Sequence, residues 1–241
     1  MLSKSQIKLI SSLHHKKHRD SSQLFVVEGK RMVFELMESH ASYLQQIIIS
    51  DTFALENKID YPIEPEIVDA TTFKKITHLV QPQGILAVFK QPELTYKATD
   101  FALVLDGVQD PGNMGTILRL ADWFGVEQVI CSKDCVDIFN TKVVQASMGS
   151  VFRVRVVYLD LVEFMQNNTL PVFGALLNGE NIYKKQLQRK GLLVMGSEGN
   201  GISKEIQTYV KEALFIPQFG GGESLNVSMA TAILLSEFSR N

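Results

Sequence analysis

The chain has 241 residues, 45% of them hydrophobic and 21% charged, a globular composition that excludes a wholly disordered or collagen-like polymer. Twenty-four Lys and Arg against 26 Asp and Glu leave a formal charge of −2, which excludes a globally basic nucleic-acid binder but not a local basic patch. Two Cys exclude a disulfide scaffold, no apolar run reaches the ~18–20 residues of a membrane span, and residues 1–17 lack a signal peptide's apolar core, so a soluble protein of the reducing cytoplasm is expected.

The chain opens basic. Lys4, Lys8, Lys16, Lys17, Arg19, Lys30 and Arg31 face only Asp20 and Glu28 over residues 1–31, with His14, His15 and His18 among them. A basic front on an otherwise acidic chain predicts a polyanion contact; a solvated helix face is the plainer explanation. Residues 1–92 read as a small α/β unit. Ile7, Ile10 and Leu13 recur at helical spacing, Leu24–Val27 is a short apolar run closed by Glu28-Gly29, and Val33, Leu36 and Met37 continue as a helix. Ile47–Ile49 and Ile85–Phe89 read as buried strands. The polar stretch Gln91–Lys97, opened by Pro92, predicts a domain boundary, with a second domain over 98–241.

In the second domain strands alternate with helices. Ala102–Leu105, Val129–Cys131, Val154–Val157, Val172–Leu177, Leu192–Met195 and Phe215-Ile216 read as strands. Met114, Ile117, Leu118, Ala121 and Phe124 make one helical stripe, Val143–Met148 a short helix and Leu225–Phe238 a last apolar helix. Such alternation predicts an α/β fold with a mostly parallel sheet, and ligands bind such sheets outside the carboxyl ends of the strands.

Three clusters follow strands. In Asp106–Gly115 the run Asp-Pro-Gly-Asn is turn chemistry, Asn113 is a candidate helix cap, and Gly115 lies one turn before Arg119, leaving room beside that side chain. An Arg119–Asp122 pair is the plainer alternative. Gly196–Ser203 holds three glycines in six residues, which lets backbone groups approach a ligand, with Glu198 as a carboxylate and Ser203 as a helix cap. Ile216–Ser228 packs a strand end, a glycine run and a helix start into 13 residues, with Ser224 as a candidate cap and Asn226 and Ser228 opening the helix. Turns and caps alone would account for the second and third. The spacings match neither a P-loop nor a dinucleotide fingerprint nor a nucleophile elbow, and the His14/His18 and Cys131/Cys135 pairs do not reach a zinc pattern.

Taken in this order and spacing, the clusters resemble the three motifs of the SpoU-type (TrmH-type) RNA 2′-O-ribose methyltransferases of the SPOUT superfamily. The matching residues are Asn113, Gly115 and Arg119; Val194–Ile202; and Ile216-Pro217 with Ser224–Ala230, in a stretch from Ala102 to the C-terminus. Phe25–Arg31 and Gln83–Ala87 resemble the ribosomal-protein-like RNA-binding domain that often precedes this catalytic domain. The resemblance implies a deep trefoil knot, a homodimer and S-adenosyl-L-methionine as cofactor, touching Leu176, Asn178, Gly196, Ile216 and Leu225. It implies that Arg119 acts at the ribose hydroxyl, surrounded by Asn113, Glu198, Ser224 and Asn226; from the spacings above, no metal is expected. Arg119 is a poor base, because a guanidinium stays protonated, so its expected work is to steady a developing alkoxide and an adjacent phosphate. One position departs from the family pattern: Gln218 stands where a Met is usual, followed by Phe219 and three glycines. The expected substrate is structured RNA, ribosomal in preference to transfer RNA. The competing readings are a transfer-RNA 2′-O-methyltransferase, a non-catalytic RNA-binding or ribosome-assembly protein on the same fold, and methylation of a base or a small molecule.

Overall fold

The computed structural model describes residues 2–240. Met1 and Asn241, the outer ends of the two predicted intervals, lie outside the described residues. In chain order the first elements are α1 (Lys4–Ser12), α2 (Lys16–Ser22), β1 (Leu24–Glu28), α3 (Lys30–Ser39), β2 (Leu44–Ser50), α4 (Asp51–Glu56), β3 (Glu66–Val68), α5 (Ala70–Ile76) and β4 (Ile85–Lys90). They are followed by β5 (Phe101–Asp106), α6 (Pro111–Trp123), β6 (Gln128–Ser132), α7 (Thr141–Ser147), β7 (Arg155–Leu159), α8 (Leu161–Gln166), β8 (Val172–Asn181), β9 (Gly191–Gly196), α9 (Lys204–Gln207), β10 (Glu212–Phe215) and α10 (Val227–Phe238). None of these helices is long and apolar enough to cross a membrane. The chain forms two compact units: residues up to Glu93 with Asp137–Phe152, and Leu94–Val136 with the residues from Arg153 onward. The segment Asp137–Phe152, which the sequence reading places in the interval 98–241, therefore packs within the first unit.

The first unit is built on a four-stranded sheet of order β1-β4-β2-β3. β4 runs antiparallel to β1 and β2, and β3 is parallel to β2. α1 starts on a reciprocal cap, in which the Ser3 hydroxyl accepts the Gln6 N–H and the Gln6 side chain accepts the Ser3 N–H. Its Ile10, with Leu13, packs on Val26, Ile48, Phe73, Ile76, Leu86 and Val88. Each side chain removed from water here contributes about 1.5–3 kcal/mol. Phe139 and Phe152 join Phe25, with ring centroids 4.9 and 5.5 Å away, which seats the 137–152 segment.

Two charged side chains of this unit are interior. Arg19, predicted as part of the basic front, is buried: Nη1 donates to the carbonyls of Leu13 and His14 at 2.9 and 2.8 Å, and Nη2 to Asp137 at 2.5 Å. The other six predicted cations are exposed. Glu28 is also buried; it accepts the Thr77 hydroxyl and, at 2.9 Å, the His78 N–H. Burial pushes its carboxyl above the usual range, and those hydrogen bonds oppose the shift. Gly29 follows at φ +93° as the cap position of α3, a conformation that L side chains rarely adopt. His14 does not pair with His18 on a helix face; it stacks on His78 with centroids 4.6 Å apart. Among the described residues no group of three or more His, Cys, Asp or Glu is placed to hold a metal ion.

The second unit is a six-stranded sheet of order β10-β8-β9-β5-β6-β7, with every pairing parallel. Its central strands β5, β6 and β9 are largely apolar and buried because parallel strands are covered on both faces. Val104, Ile130, Val157, Leu192 and Val194 share a core with Leu161, Met165, Ile202 and Ile206. β5 leads to β6 and β7 on one side, while β9 and β8 lie on the other. The loops after β5 and β9 therefore meet where the strand order reverses, the place where open parallel sheets bind ligands.

Candidate active site

Register fixes the site. β5 and β9 pair Leu105 with Met195 and Asp106 with Gly196, so the first two motif loops leave the sheet side by side. The Asp106 carboxylate accepts the Ser203 N–H at 2.7 Å and ties the second loop to the end of β5. Within that loop Ser197 and Gly201 exchange both backbone hydrogen bonds at 3.0 Å. A Cβ on Gly196 would lie 2.0 Å from the Gly201 carbonyl carbon, so only glycine permits this closed turn.

α6 begins at Pro111, and its cap is Asp110, whose Oδ1 accepts the Asn113 N–H at 2.8 Å. Asn113 is thus not the cap that the sequence suggested. It sits inside the first turn, and its side chain is free to point elsewhere. The cap of α10 likewise is Asn226, not Ser224; Asn226 Oδ1 accepts the N–H groups of Ser228 at 2.9 Å and Met229 at 3.4 Å. The Asn226 amide then donates to Asn113 Oδ1 at 2.9 Å, and Asn113 Nδ2 donates to Glu198 Oε1 at 2.5 Å. Three residues up to 113 positions apart in sequence form one hydrogen-bonded chain at the strand ends.

Gly115 is buried with Met114, Ile117, Leu118 and Ala121, so it does not open space on an exposed face beside Arg119. Arg119 itself is exposed, and among the described residues it makes no hydrogen bond or ion pair. The Arg119–Asp122 pair does not form; Asp122 instead meets Arg153 Nε at 2.7 Å.

A cavity of about 810 Å³ lies beside the three-residue chain, within the 300–1,000 Å³ usual for small-molecule sites. Leu176, Asn178, Gly196, Ile216 and Leu225 all bound it, as do Glu198 and Ser224. The contribution of Leu176 and Asn178 depends on an irregularity that the sequence hid. The predicted strand Val172–Leu177 continues to Asn181, and its partner β10 pairs Ala213 with Gly174 but the next residue, Leu214, with Glu180. Residues 175–179 are looped out of the ladder and so reach the cavity. A Cβ on Gly179 would lie 2.5 Å from the Ala213 carbonyl carbon, so glycine lets the chain rejoin the sheet. Sequence reasoning missed Asp106, Asp110 and Gln207, which bounds the cavity while Nε2 donates to Ile202 O at 2.6 Å. A carboxylate ending a strand was the available signal for Asp106.

The donor set suits a nucleoside with a cationic centre. Leu176, Ile216 and Leu225 supply apolar walls, the glycine turns supply backbone N–H and C=O groups, and Glu198 and Glu223 supply negative charge.

Comparisons with known proteins identify the family. The SpoU rRNA Methylase family matches residues 100–236, and the MRM3-like substrate binding domain matches residues 4–87. The chain is 31% identical to the 23S rRNA (guanosine(2553)-2′-O)-methyltransferase of Bacillus subtilis (strain 168), over 95% of this chain and 94% of that protein. Among solved structures, a TrmH-family protein of Porphyromonas gingivalis is 40% identical with TM-score 0.86, covering 100% of this chain and 99% of the other. An AdoMet-bound rRNA methyltransferase of Sinorhizobium meliloti is 27% identical with TM-score 0.83, covering 100% and 96%. The chain belongs to the SpoU rRNA methylase family, as a SpoU-type RNA methyltransferase of the SPOUT superfamily.

Proposed function

We propose that this protein transfers a methyl group from S-adenosyl-L-methionine to the 2′-hydroxyl of a ribosomal-RNA nucleotide. The observation that carries the reading is the hydrogen-bonded chain Asn226–Asn113–Glu198 set against the cavity edged by Gly196, Ile216 and Leu225. S-adenosyl-L-methionine, when bound, supplies the activated methyl. The backbone around Gly196, Ile216 and Leu225, with Leu176 and Asn178, would hold it, and the Glu198 carboxylate would favour its positive charge. In-line displacement needs the acceptor oxygen held about 3–3.5 Å from the methyl carbon and aligned with it. Asn113 and Asn226 fix Glu198, and Ser224 completes the wall on that side.

Arg119 has no partner among the described residues and is available to the substrate. Its guanidinium would steady the ribose oxygen as the O–CH3 bond forms, the S–CH3 bond breaks to release S-adenosyl-L-homocysteine and the hydroxyl proton passes to water, and it would grip a neighbouring phosphate. Because the acceptor is a 2′-hydroxyl, the substrate is RNA and not DNA. Residues 1–92 choose the RNA through the exposed Lys4, Lys8, Lys16, Lys17, Lys30 and Arg31, and residues 98–241 carry out the transfer. A trefoil knot in the second domain, a homodimer and a cytoplasmic location complete the reading. Labelled methyl transfer to unmethylated 23S rRNA, followed by nuclease digestion, tests it. Label on ribose O2′ is expected; label on a base, or no transfer by a protein that binds the cofactor, would contradict it.

A further inference from the structure

The departure at Gln218 and the glycines after it form a device that the transfer chemistry leaves unexplained. Gln218 Nε2 donates to the Gly220 carbonyl at 2.7 Å and also to the Gly222 carbonyl. One amide thus folds the glycine run back on itself, a hold that the usual thioether has no N–H to make. A Cβ at Gly220, Gly221 or Gly222 would meet nothing within 4 Å, so neither packing nor steric crowding shapes this turn. At its start stands Phe219, 94% exposed. Single exposed apolar residues are ordinary, but Leu177 and Leu225, at 73% and 54%, stand exposed on the edge of the same cavity. Glu198 bounds that cavity too, so on the proposed reading, in which the methyl faces Glu198, the acceptor ribose would enter by the opening that this apolar edge borders.

We infer that Phe219 is the stacking platform for a nucleobase of the substrate RNA, at or next to the methylated nucleotide. The inference rests on the ribose-methylation reading above and adds the contact that orients the sugar. A ribose hydroxyl can be aligned only if the nucleotide cannot turn about its backbone. An exposed ring offers every base a face to stack on, which suits single-stranded or splayed RNA. The glycines keep other side chains out of the base's way, and the Gln218 tether holds the platform in place before RNA arrives.

The test compares Phe219→Ala, Phe219→Leu and Phe219→Trp with the unsubstituted protein. The readouts are methyl transfer to unmethylated 23S rRNA, titration with S-adenosyl-L-methionine, and molecular mass in solution. Phe219→Ala should lower kcat/KM for RNA about tenfold, mainly through KM, while cofactor affinity and mass stay unchanged. Phe219→Trp should restore the rate, and Phe219→Leu should not. Gln218→Met should shift KM in the same direction by a smaller factor. Full rescue by Leu would make the residue an apolar filler, a tenfold loss of cofactor affinity would make it a cofactor wall, and a change of mass would make it a subunit contact. Any of these, or an unimpaired Phe219→Ala, overturns the inference. Failure of the unsubstituted protein to methylate RNA would overturn the underlying function and the inference together.

Discussion

The first unit keeps Arg19 2% exposed and closes it on Asp137, and it buries Glu28 beneath Thr77 and His78. At the rim of the parallel sheet, Asn113, Glu198 and Asn226 bind one another at the surface, and Arg119 nearby in sequence binds none of the described residues. A buried charge must be fully partnered by the protein, so the first arrangement serves folding. A connected polar group left at an open cavity is not needed for folding and is held ready for a ligand. Substitutions in the two places should therefore separate stability from activity.

The largest expected effect lies in the first unit. Asp137→Ala leaves the Arg19 guanidinium buried without its counter-charge and should destabilise the protein by about 3–5 kcal/mol in denaturant titration. A smaller loss would mean that the carbonyls of Leu13 and His14 suffice. At the rim, Arg119→Ala should lower kcat by roughly 10²–10³ with unchanged melting temperature and cofactor affinity. Asn113→Ala frees Glu198 and removes the partner of Asn226, and should cost on the order of tenfold to a hundredfold in kcat, again without loss of stability. A fall in melting temperature for either rim variant would erase the contrast between the regions.

The smallest effect is a pH dependence. Burial, helped by the nearby charges of His14, Arg19 and His15, lowers the His78 pKa from 6.5 to about 4. The unfolded chain then binds this proton first, so stability is complete above pH 6.5 and falls as pH drops toward 4. Glu28 acts in the opposite sense: with its pKa raised, the folded state takes up its proton first, which adds stability as pH falls. Comparing His78→Leu with the unsubstituted protein leaves the Glu28 contribution in both and isolates the histidine. Between pH 7 and pH 5 the unsubstituted protein should lose about 1 kcal/mol more than His78→Leu, the linkage value halved for a half-buried ring.

The same contrast explains what was legible in the sequence. The parallel strands and the three loops after them were readable, because continuous apolar runs and glycine clusters are local signals. Ser203 was readable as a cap and does cap α9, but the caps of α6 and α10 were not, since Asp110 and Asn113, or Ser224 and Asn226, compete within a few residues and only the backbone decides. β3 has three residues, too few to show a period, and α5 is marked by the Asp69 cap more than by its apolar face. Arg19 looked like surface charge because its partner Asp137 lies 118 positions away. The looped-out residues 175–179 depend on which strand β8 pairs with, and that is a property of the sheet.

The most direct test is a crystal structure of this protein grown with S-adenosyl-L-methionine. The account predicts cofactor density against Gly196, Ile216 and Leu225, in contact with Leu176 and Asn178, its methyl facing the Asn226–Asn113–Glu198 chain. Density elsewhere, or that cavity empty at saturating cofactor, would contradict it.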